Sequence, residues 1–255
     1  MSHAAKLALA LVLCAGTAVA DPFASDWATS LKSSARLVTG EGSTAGVEIK
    51  LAPGAITYWR DPGDAGAPPT FDFSASANLK SAEVRFPAPR RIVEADASVA
   101  YGYDKYVLFP VDLTPIDPTK PISLKLAMTY AVCEKICLPA RAALGAVVTP
   151  GVSSPYASAI EAALALTPQL LGADAVKLSV DATVARVCLA TPLGADAALF
   201  VEGPAGWRAI ADADPAAGGC FRLKVVEKPE ALAGAVRARL TFVGAAGAYE
   251  TTIDF

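Results

Sequence analysis

The chain has 255 residues, of which 53% are hydrophobic and 18% are charged, with 19 Gly and 19 Pro. This composition is too apolar for a disordered chain and too rich in helix breakers for a helical bundle, so it favours a β-rich globular protein. The formal net charge of -3 at pH 7 lacks the basic surplus of a non-specific nucleic-acid binder. We expect no nucleic-acid partner.

Residues 1–20 have the pattern of a cleavable signal peptide. A basic residue precedes the apolar run Leu7–Leu13, and the small residues of Ala18–Ala20 form the site that a signal peptidase reads. No later run approaches the roughly 20 apolar residues that a membrane span needs. The sequence therefore predicts an exported, periplasmic protein without a membrane span.

The only histidine, His3, lies within this signal peptide. The mature chain therefore has none, which excludes Ser/His/Asp and Cys/His catalysis and any His-ligated zinc or copper site. We predict no metal and no cofactor.

Short runs rich in β-branched and aromatic residues recur downstream, separated by Gly, Pro and Asp at intervals of about ten residues. They predict strands over 46–51, 56–59, 70–73, 83–86, 107–113 and 122–132. Further strands are predicted over 176–180, 184–189, 198–201, 207–210, 221–226, 236–242 and 249–253. The pattern is typical of antiparallel β-sandwiches with one wet face, as the alternation of Val47 and Ile49 with Glu48 and Lys50 indicates.

One helix is predicted between these two series of strands. Ser154 is a candidate N-cap, Pro155 suits the first helical position, and Pro168 ends the pattern. Apolar residues on one face of this helix are Ile160, Ala163 and Leu164. The predicted organisation is a signal peptide (1–20), a first sandwich domain (21–150), a linker with the helix (151–174) and a second sandwich domain (175–255).

Four cysteines remain after the signal peptide: Cys133, Cys137, Cys188 and Cys220. In an exported protein such an even number favours disulfides. Cys133 and Cys137 cannot be bridged along a straight strand, because four strand steps span about 13 Å and bridged Cα atoms lie within roughly 7 Å. The chain must turn there, at a hairpin tip or in one helical turn.

A loop as short as this one gives a disulfide only about 2 kcal/mol of stabilisation, so stability is a weak reason for the pair. Redox exchange is the favoured role, with a structural staple and Cu(I)-thiolate binding as alternatives. Lys135 and Arg141 favour a thiolate, and Glu134 opposes them. Cys133 is the expected attacking sulfur because it ends a strand, where access is easier.

The longer separation of Cys188 and Cys220 suits a structural disulfide. On the loop-entropy model it contributes roughly 3 to 4 kcal/mol.

Four motifs of the first domain resemble the N-terminal periplasmic domain of the DsbD thiol:disulfide interchange reductases, in particular the ScsB-like branch that is linked to copper tolerance. The motifs occur in the family's order over 58–69 (YWRDPGDAGAPP), 86–89 (FPAP), 101–103 (YGY) and 132–139 (VCEKICLP). The resemblance covers residues 35–150 well and the remainder only loosely, as a further sandwich.

The resemblance implies an immunoglobulin-like domain whose redox pair, Cys133 and Cys137, carries electrons between partners. The partners implied are a thioredoxin-like or membrane electron-transfer protein and a disulfide-bonded periplasmic substrate. The family's membrane domain and thioredoxin-like domain have no counterpart in this sequence, so we expect the electron donor to be a separate protein.

In the family a cap loop shields the cysteine pair until a partner docks, and the segment 60–69 occupies its place. The candidate cap residues are Arg60, Asp61, Pro62, Gly63, Asp64 and Gly66, where prolines stiffen the loop and glycines supply hinges. Tyr101 and Tyr103 are candidates for lining the site, although alternating tyrosines in a β protein usually pack in the core. The rival interpretation is a non-enzymatic periplasmic binding or chaperone module whose disulfides are inert.

Overall fold

The structure is a computed structural model that describes residues 21–64, 66–94, 97–181, 184–194, 196–214, 219–230 and 234–254. The predicted signal peptide lies outside the described residues. Strands make up 58% of the structure. The described residues contain one α-helix, and among them no helix is long and apolar enough to cross a membrane. The two predicted immunoglobulin-like β-sandwiches are confirmed.

The first half of the chain forms a sandwich of two sheets, called the N-terminal sandwich. One sheet has the strand order β1 (Ala28–Thr29), β2 (Ser33–Thr39), β3 (Thr44–Leu51), β9 (Tyr106–Pro115) and β6 (Leu79–Val84). The other has the order β11 (Cys137–Val148), β10 (Ile122–Cys133), β4 (Ile56–Gly63), β8 (Val99–Asp104) and β7 (Arg90–Val93), with β5 (Thr70–Asp72) paired to β10. All of these pairs are antiparallel.

The alternating apolar side chains of these strands meet between the two sheets. Val47, Ile49 and Phe109 are fully buried there, opposite Leu124 and Leu126 of the other sheet. The predicted wet face of β3 is wrong at Glu48, which is only 8% exposed. Glu48 forms an ion pair with Arg36 and accepts a hydrogen bond from the hydroxyl of Tyr106 at 3.0 Å, so neighbouring strands cover it.

Helix α1 (Ala157–Ala165) packs Ile160 and Ala163 against Val38 and Leu108 on the outside of the N-terminal sandwich. It begins two residues later than predicted, with Tyr156 as N-cap. The Ser154 hydroxyl instead accepts the Tyr156 N–H at 3.0 Å, in the turn before the helix.

The second half forms the C-terminal sandwich. One sheet has the order β12 (Gln169–Leu170), β19 (Gly247–Asp254), β18 (Arg237–Gly244) and β15 (Ala198–Glu202), in which β12 and β19 are parallel. The other has the order β13 (Val176–Asp181), β14 (Val184–Leu189), β17 (Cys220–Glu227) and β16 (Arg208–Ala213). A single 3₁₀ turn (Ala173–Ala175) precedes β13.

Phe200 of β15 connects the two sandwiches. Its ring is 2% exposed and belongs to the core of the N-terminal sandwich, where it meets Trp59 and Tyr101 edge to face at 5.7 and 4.8 Å between ring centroids. The two sandwiches therefore share buried aromatic surface close to the segment predicted to be the cap loop.

Candidate thiol-disulfide site

Cys133 and Cys137 lie opposite each other at the tip of the hairpin formed by β10 and β11. The pairing of these strands runs from Ile122 and Val148 up to the two cysteines, whose Cα atoms are 4.1 Å apart. The sulfur atoms are bonded to each other. The turn that the cysteine spacing requires is thus a hairpin tip, with residues 134–136 projecting beyond the disulfide.

The two sulfur-bearing residues differ in their access to solvent. Cys133 is 1% exposed and packs with Ile56, Tyr58 and Ala100, whereas Cys137 is exposed at the start of β11. A large thiol approaching from solvent therefore meets Cys137. The end of β10 is a buried position because β4 pairs with it there.

Tyr58 of β4 provides a hydrogen-bond donor to the disulfide. Its hydroxyl donates to Cys133 Sγ at 2.7 Å and lies 3.5 Å from Cys137 Sγ. The carboxylate of Glu94 is a further acceptor at 3.5 Å from the same hydroxyl. The Tyr58 ring is fully buried, so the donor is fixed in place and shielded from water.

The charges around the hairpin tip differ from the expected balance. Glu134, which was expected to oppose a thiolate, forms an ion pair with Lys32 at 2.9 Å, and this hydrogen bond lowers the Glu134 pKa. Arg141 lies four strand positions beyond Cys137, about 13 Å along β11, which exceeds the screening length of about 8 Å at physiological salt. The nearest fixed dipole at the sulfurs is therefore the Tyr58 hydroxyl.

The first part of the predicted cap loop continues strand β4. The pairing of β4 with β8 shifts between Tyr58 and Gly63, so the residues between them bulge from the sheet. Within this bulge Asp61 accepts the Gly63 N–H at 3.1 Å, and burial raises the Asp61 pKa above its ordinary value. Pro62 lies in the same half-buried stretch.

The second part of the loop lies against Tyr58. Gly66 has a positive φ of 104°, and a Cβ added there would come within 2.3 Å of the Tyr58 ring, so only glycine allows this approach. A groove of about 290 Å³ runs between this part of the loop and the exposed cysteine. It is lined by Gly66, Ala67, Pro68, Thr129, Tyr130, Ala131, Cys137, Leu138 and Pro139.

Tyr101 and Tyr103 make their contacts away from the sulfurs. Tyr103 is 6% exposed, packs edge to face on Phe109 at 5.4 Å and donates its hydroxyl to the Pro87 carbonyl at 2.8 Å. Burial raises the pKa of Tyr103 well above its ordinary value. Tyr101 packs on Phe200 beside the stem of the loop, and burial, together with Asp61, raises its pKa.

Cys188 and Cys220 lie directly opposite each other on β14 and β17, with Cα atoms 4.0 Å apart and sulfurs bonded. Close by, Arg186 forms an ion pair with the buried Asp214 at 2.7 Å. This second disulfide lies in the C-terminal sandwich and joins two strands that are already hydrogen-bonded.

Residues 27–149 match the family model of the N-terminal domain of the thiol:disulfide interchange protein DsbD. Through this segment, which contains the hairpin disulfide, Tyr58 and the loop, the chain belongs to that family. The resemblance recognised in the motifs is confirmed.

The N-terminal periplasmic domain of ScsB from Proteus mirabilis has a similar crystal structure, with a TM-score of 0.71 at 18% sequence identity. The likeness covers 92% of this chain and 99% of the other, so it extends through both sandwiches, and at this identity it concerns the fold. Among curated proteins no sequence matches the chain.

Sequence reasoning missed Tyr58 and Glu94. Tyr58 begins the best-matched motif, but its separation of 75 residues from Cys133 hides the contact. The signal available was the missing aromatic residue at the tip of the loop, which implied that another element must cover the sulfurs.

Proposed function

We propose that the chain is a periplasmic thiol:disulfide interchange protein that relays electrons through Cys133 and Cys137. One partner is a thioredoxin-like or membrane electron-transfer protein, and the other is a disulfide-bonded periplasmic substrate. The observation that carries the proposal is the asymmetric disulfide of a DsbD-family domain: Cys137 is exposed, and the buried Cys133 accepts a hydrogen bond from Tyr58. Two disulfides in one chain fit an oxidising compartment.

The exchange begins at the exposed sulfur. A partner thiolate attacks Cys137 Sγ and forms a mixed disulfide, while the bond to Cys133 breaks and its electron pair leaves on Cys133 Sγ. A second partner thiolate then attacks the partner's own sulfur in the mixed disulfide and releases Cys137 as a thiolate. The partner ends as a disulfide, and the chain, after taking up two protons, ends as a dithiol.

The same steps in reverse deliver electrons to a substrate disulfide. In that direction Cys137 attacks and Cys133 resolves the mixed disulfide. This assignment reverses the sequence expectation for Cys133, because the strand end that was expected to be accessible is covered by Ile56 and Ala100.

Tyr58 stabilises the buried leaving group. A thiolate at Cys133 is disfavoured by its apolar surroundings, since burial opposes the charged form. The Tyr58 hydroxyl already points at this sulfur in the disulfide and can donate to the thiolate without rearrangement. Its contribution is therefore largest when Cys133 carries the charge.

The segment 60–69 acts as the cap of this site. Its backbone at Gly66 rests on the Tyr58 ring, and residues 66–68 form one wall of the groove beside Cys137. The cap thus obtains from β4 the aromatic residue that the loop itself lacks. A partner must enter this groove to place a thiolate in line with the disulfide, so displacement of the loop precedes attack.

Single cysteine variants test the proposal. C133S leaves the exposed Cys137 and should accumulate mixed disulfides with periplasmic partners, visible on non-reducing gels. C137S leaves the buried Cys133 and should trap at least several-fold less. The C133S/C137S double variant is the control, and it should form no adducts. Folded, exported single variants that both fail to form adducts would contradict the redox role.

The reduction potential of the pair separates this proposal from the rival binding or chaperone module. Inert structural bridges typically lie below about -300 mV, whereas exchanging pairs lie above that value. We expect the Cys133–Cys137 pair to titrate above it in a glutathione or dithiothreitol redox buffer. A lower value would favour the structural interpretation.

A further inference from the structure

The stem of the cap loop is bound to the C-terminal sandwich at both of its ends. At the first end, the Arg60 guanidinium donates to Glu202 through Nε at 2.9 Å and through Nη2 at 2.7 Å. Nη2 also reaches Glu250 and lies 3.3 Å from the Thr241 hydroxyl. These acceptors lie on β15, β18 and β19, so one arginine of the loop joins three strands of the other sandwich.

The second end of the stem is held by a carboxylate that bridges the two sandwiches. Asp64 accepts the Val99 N–H through Oδ2 at 3.0 Å, while its backbone N–H donates to the Val99 carbonyl at 2.9 Å. Its other carboxylate oxygen forms an ion pair with Arg208 of β16. Asp64 is therefore fixed to β8 by its backbone and to the C-terminal sandwich by its charge.

Aromatic packing fixes the direction of the stem between these two ends. Arg60 lies over the Trp59 ring, with 4.2 Å from its guanidinium carbon to the ring centroid. On β15, Phe200 lies only two residues before Glu202, and it packs against both Trp59 and Tyr101. The same strand thus supplies the acid that holds Arg60 and the ring that holds its neighbours.

The distance from this clamp to the reacting sulfurs is short along the chain. Two residues after Asp64, Gly66 rests on the Tyr58 ring, whose hydroxyl donates to Cys133. A stem fixed at Asp64 leaves the loop little freedom to leave Tyr58, because two residues span at most about 7 Å. Release of the stem is the simplest way to open the groove beside Cys137.

We propose that the C-terminal sandwich is the positioning element of the cap: Glu202 and Glu250 hold Arg60, Arg208 holds Asp64, and together they restrict the access of a protein partner to Cys137. The proposal rests on the interchange function proposed above and deepens it. The C-terminal sandwich carries no part of the exchange chemistry, and it sets the rate at which large thiols reach the disulfide. Small thiols, which enter the groove with the loop in place, are little affected.

Two substitutions in the C-terminal sandwich test the clamp in the full-length protein. E202Q and R208Q each remove one charge that faces the loop and leave the hairpin untouched. The rate constant for reduction of the pair by a thioredoxin-like protein should rise about tenfold, the factor that corresponds to the loss of one charge-assisted hydrogen bond. The rate with dithiothreitol should change less than twofold, and the reduction potential should stay constant.

A matched control and a conservative variant complete the test. R237Q removes the exposed ion pair of Arg237 with Asp254, a contact of the same kind outside the loop clamp, and should leave both rates unchanged. R208K keeps the charge and should retain the wild-type rate. Unchanged rates in folded E202Q and R208Q would overturn the proposal.

Slower reaction of E202Q and R208Q with the protein reductant would overturn the proposal as well, because the charges would then belong to a docking surface. If the wild-type protein reacts with neither reductant, the interchange function itself fails. That result differs from a failure of the clamp alone, in which the wild-type protein exchanges normally and only the variants are indistinguishable from it.

Discussion

Replacement of Tyr58 by Phe removes one hydroxyl and leaves the buried ring in place against Gly66. The hydroxyl donates to Cys133 Sγ at 2.7 Å, and a hydrogen bond to a charged group contributes about 1.5–3 kcal/mol. This corresponds to about one to two pKa units, since one unit is 1.36 kcal/mol. In Y58F the pKa of Cys133 in the reduced protein should therefore rise by that amount.

The slower departure of Cys133 should appear in the kinetics. With a sensitivity of about 0.5 per pKa unit for the leaving thiolate, the size that thiol exchange shows toward the attacking thiol, reduction of the disulfide should slow about three- to tenfold. Stopped-flow reduction with dithiothreitol measures this rate. Thiolate absorbance of C137S and of C137S/Y58F measures the pKa of Cys133 directly.

Y103F is the matched control for Y58F. It also removes a buried tyrosine hydroxyl, the one that donates to Pro87, and should cost stability of about 1 kcal/mol without changing the exchange rate. Equal rates and equal Cys133 pKa values for Y58F and the wild-type protein would refute the reasoning. Faster reduction of Y58F would also refute it, because the hydroxyl would then act only as a shield.

Three further predictions concern the loop, the second disulfide and Asp61. Shortening the loop between Gly63 and Gly66 should speed reduction by a thioredoxin-like protein far more than by dithiothreitol with little loss of thermal stability, and equal rates in stopped-flow measurements would show that the loop is only a connection. The C188S/C220S variant should lose roughly 3 to 4 kcal/mol of unfolding free energy in urea titrations with an unchanged exchange rate, and two free thiols at these positions in the unreduced wild-type protein, seen by mass spectrometry, would contradict this bridge. Because burial raises the Asp61 pKa in the folded state, the stability provided by its protonated form is present at low pH and lost as pH rises through that pKa. D61N should therefore melt at a higher temperature than the wild-type protein at pH 7 and lose this advantage near pH 3, and a pH-independent difference in calorimetry would contradict the assignment.

The parts of the fold with strong local signals could be predicted from sequence. The alternation of 107–113 indicated β9, and the distance limit on a disulfide required a turn between Cys133 and Cys137. Strand β11 was missed because its segment Cys137–Val148 is rich in alanine and contains Gly145, residues with weak strand preference. Pairing with β10 imposes the strand there, and no local pattern records that pairing.

Contacts between distant segments account for most of what the sequence could not show at the site. The burial of Cys133 depends on β4, and the attachment of the loop depends on Glu202, 142 residues beyond Arg60. The predicted strand 83–86 illustrates the same limit, since the observed strand is Leu79–Val84 and its partner β9 determines where it ends.

The hairpin register has a consequence for the life of the protein between turnovers. Continuous pairing from Ile122 and Val148 up to the cysteines holds the two sulfur atoms opposite each other through backbone hydrogen bonds that do not depend on the S–S bond. After reduction the two thiols therefore keep a very high effective concentration toward one another, as oriented groups in one molecule do. A mixed disulfide at Cys137 is consequently resolved by a neighbour that needs no search, and the sandwich passes between its oxidised and reduced forms without refolding.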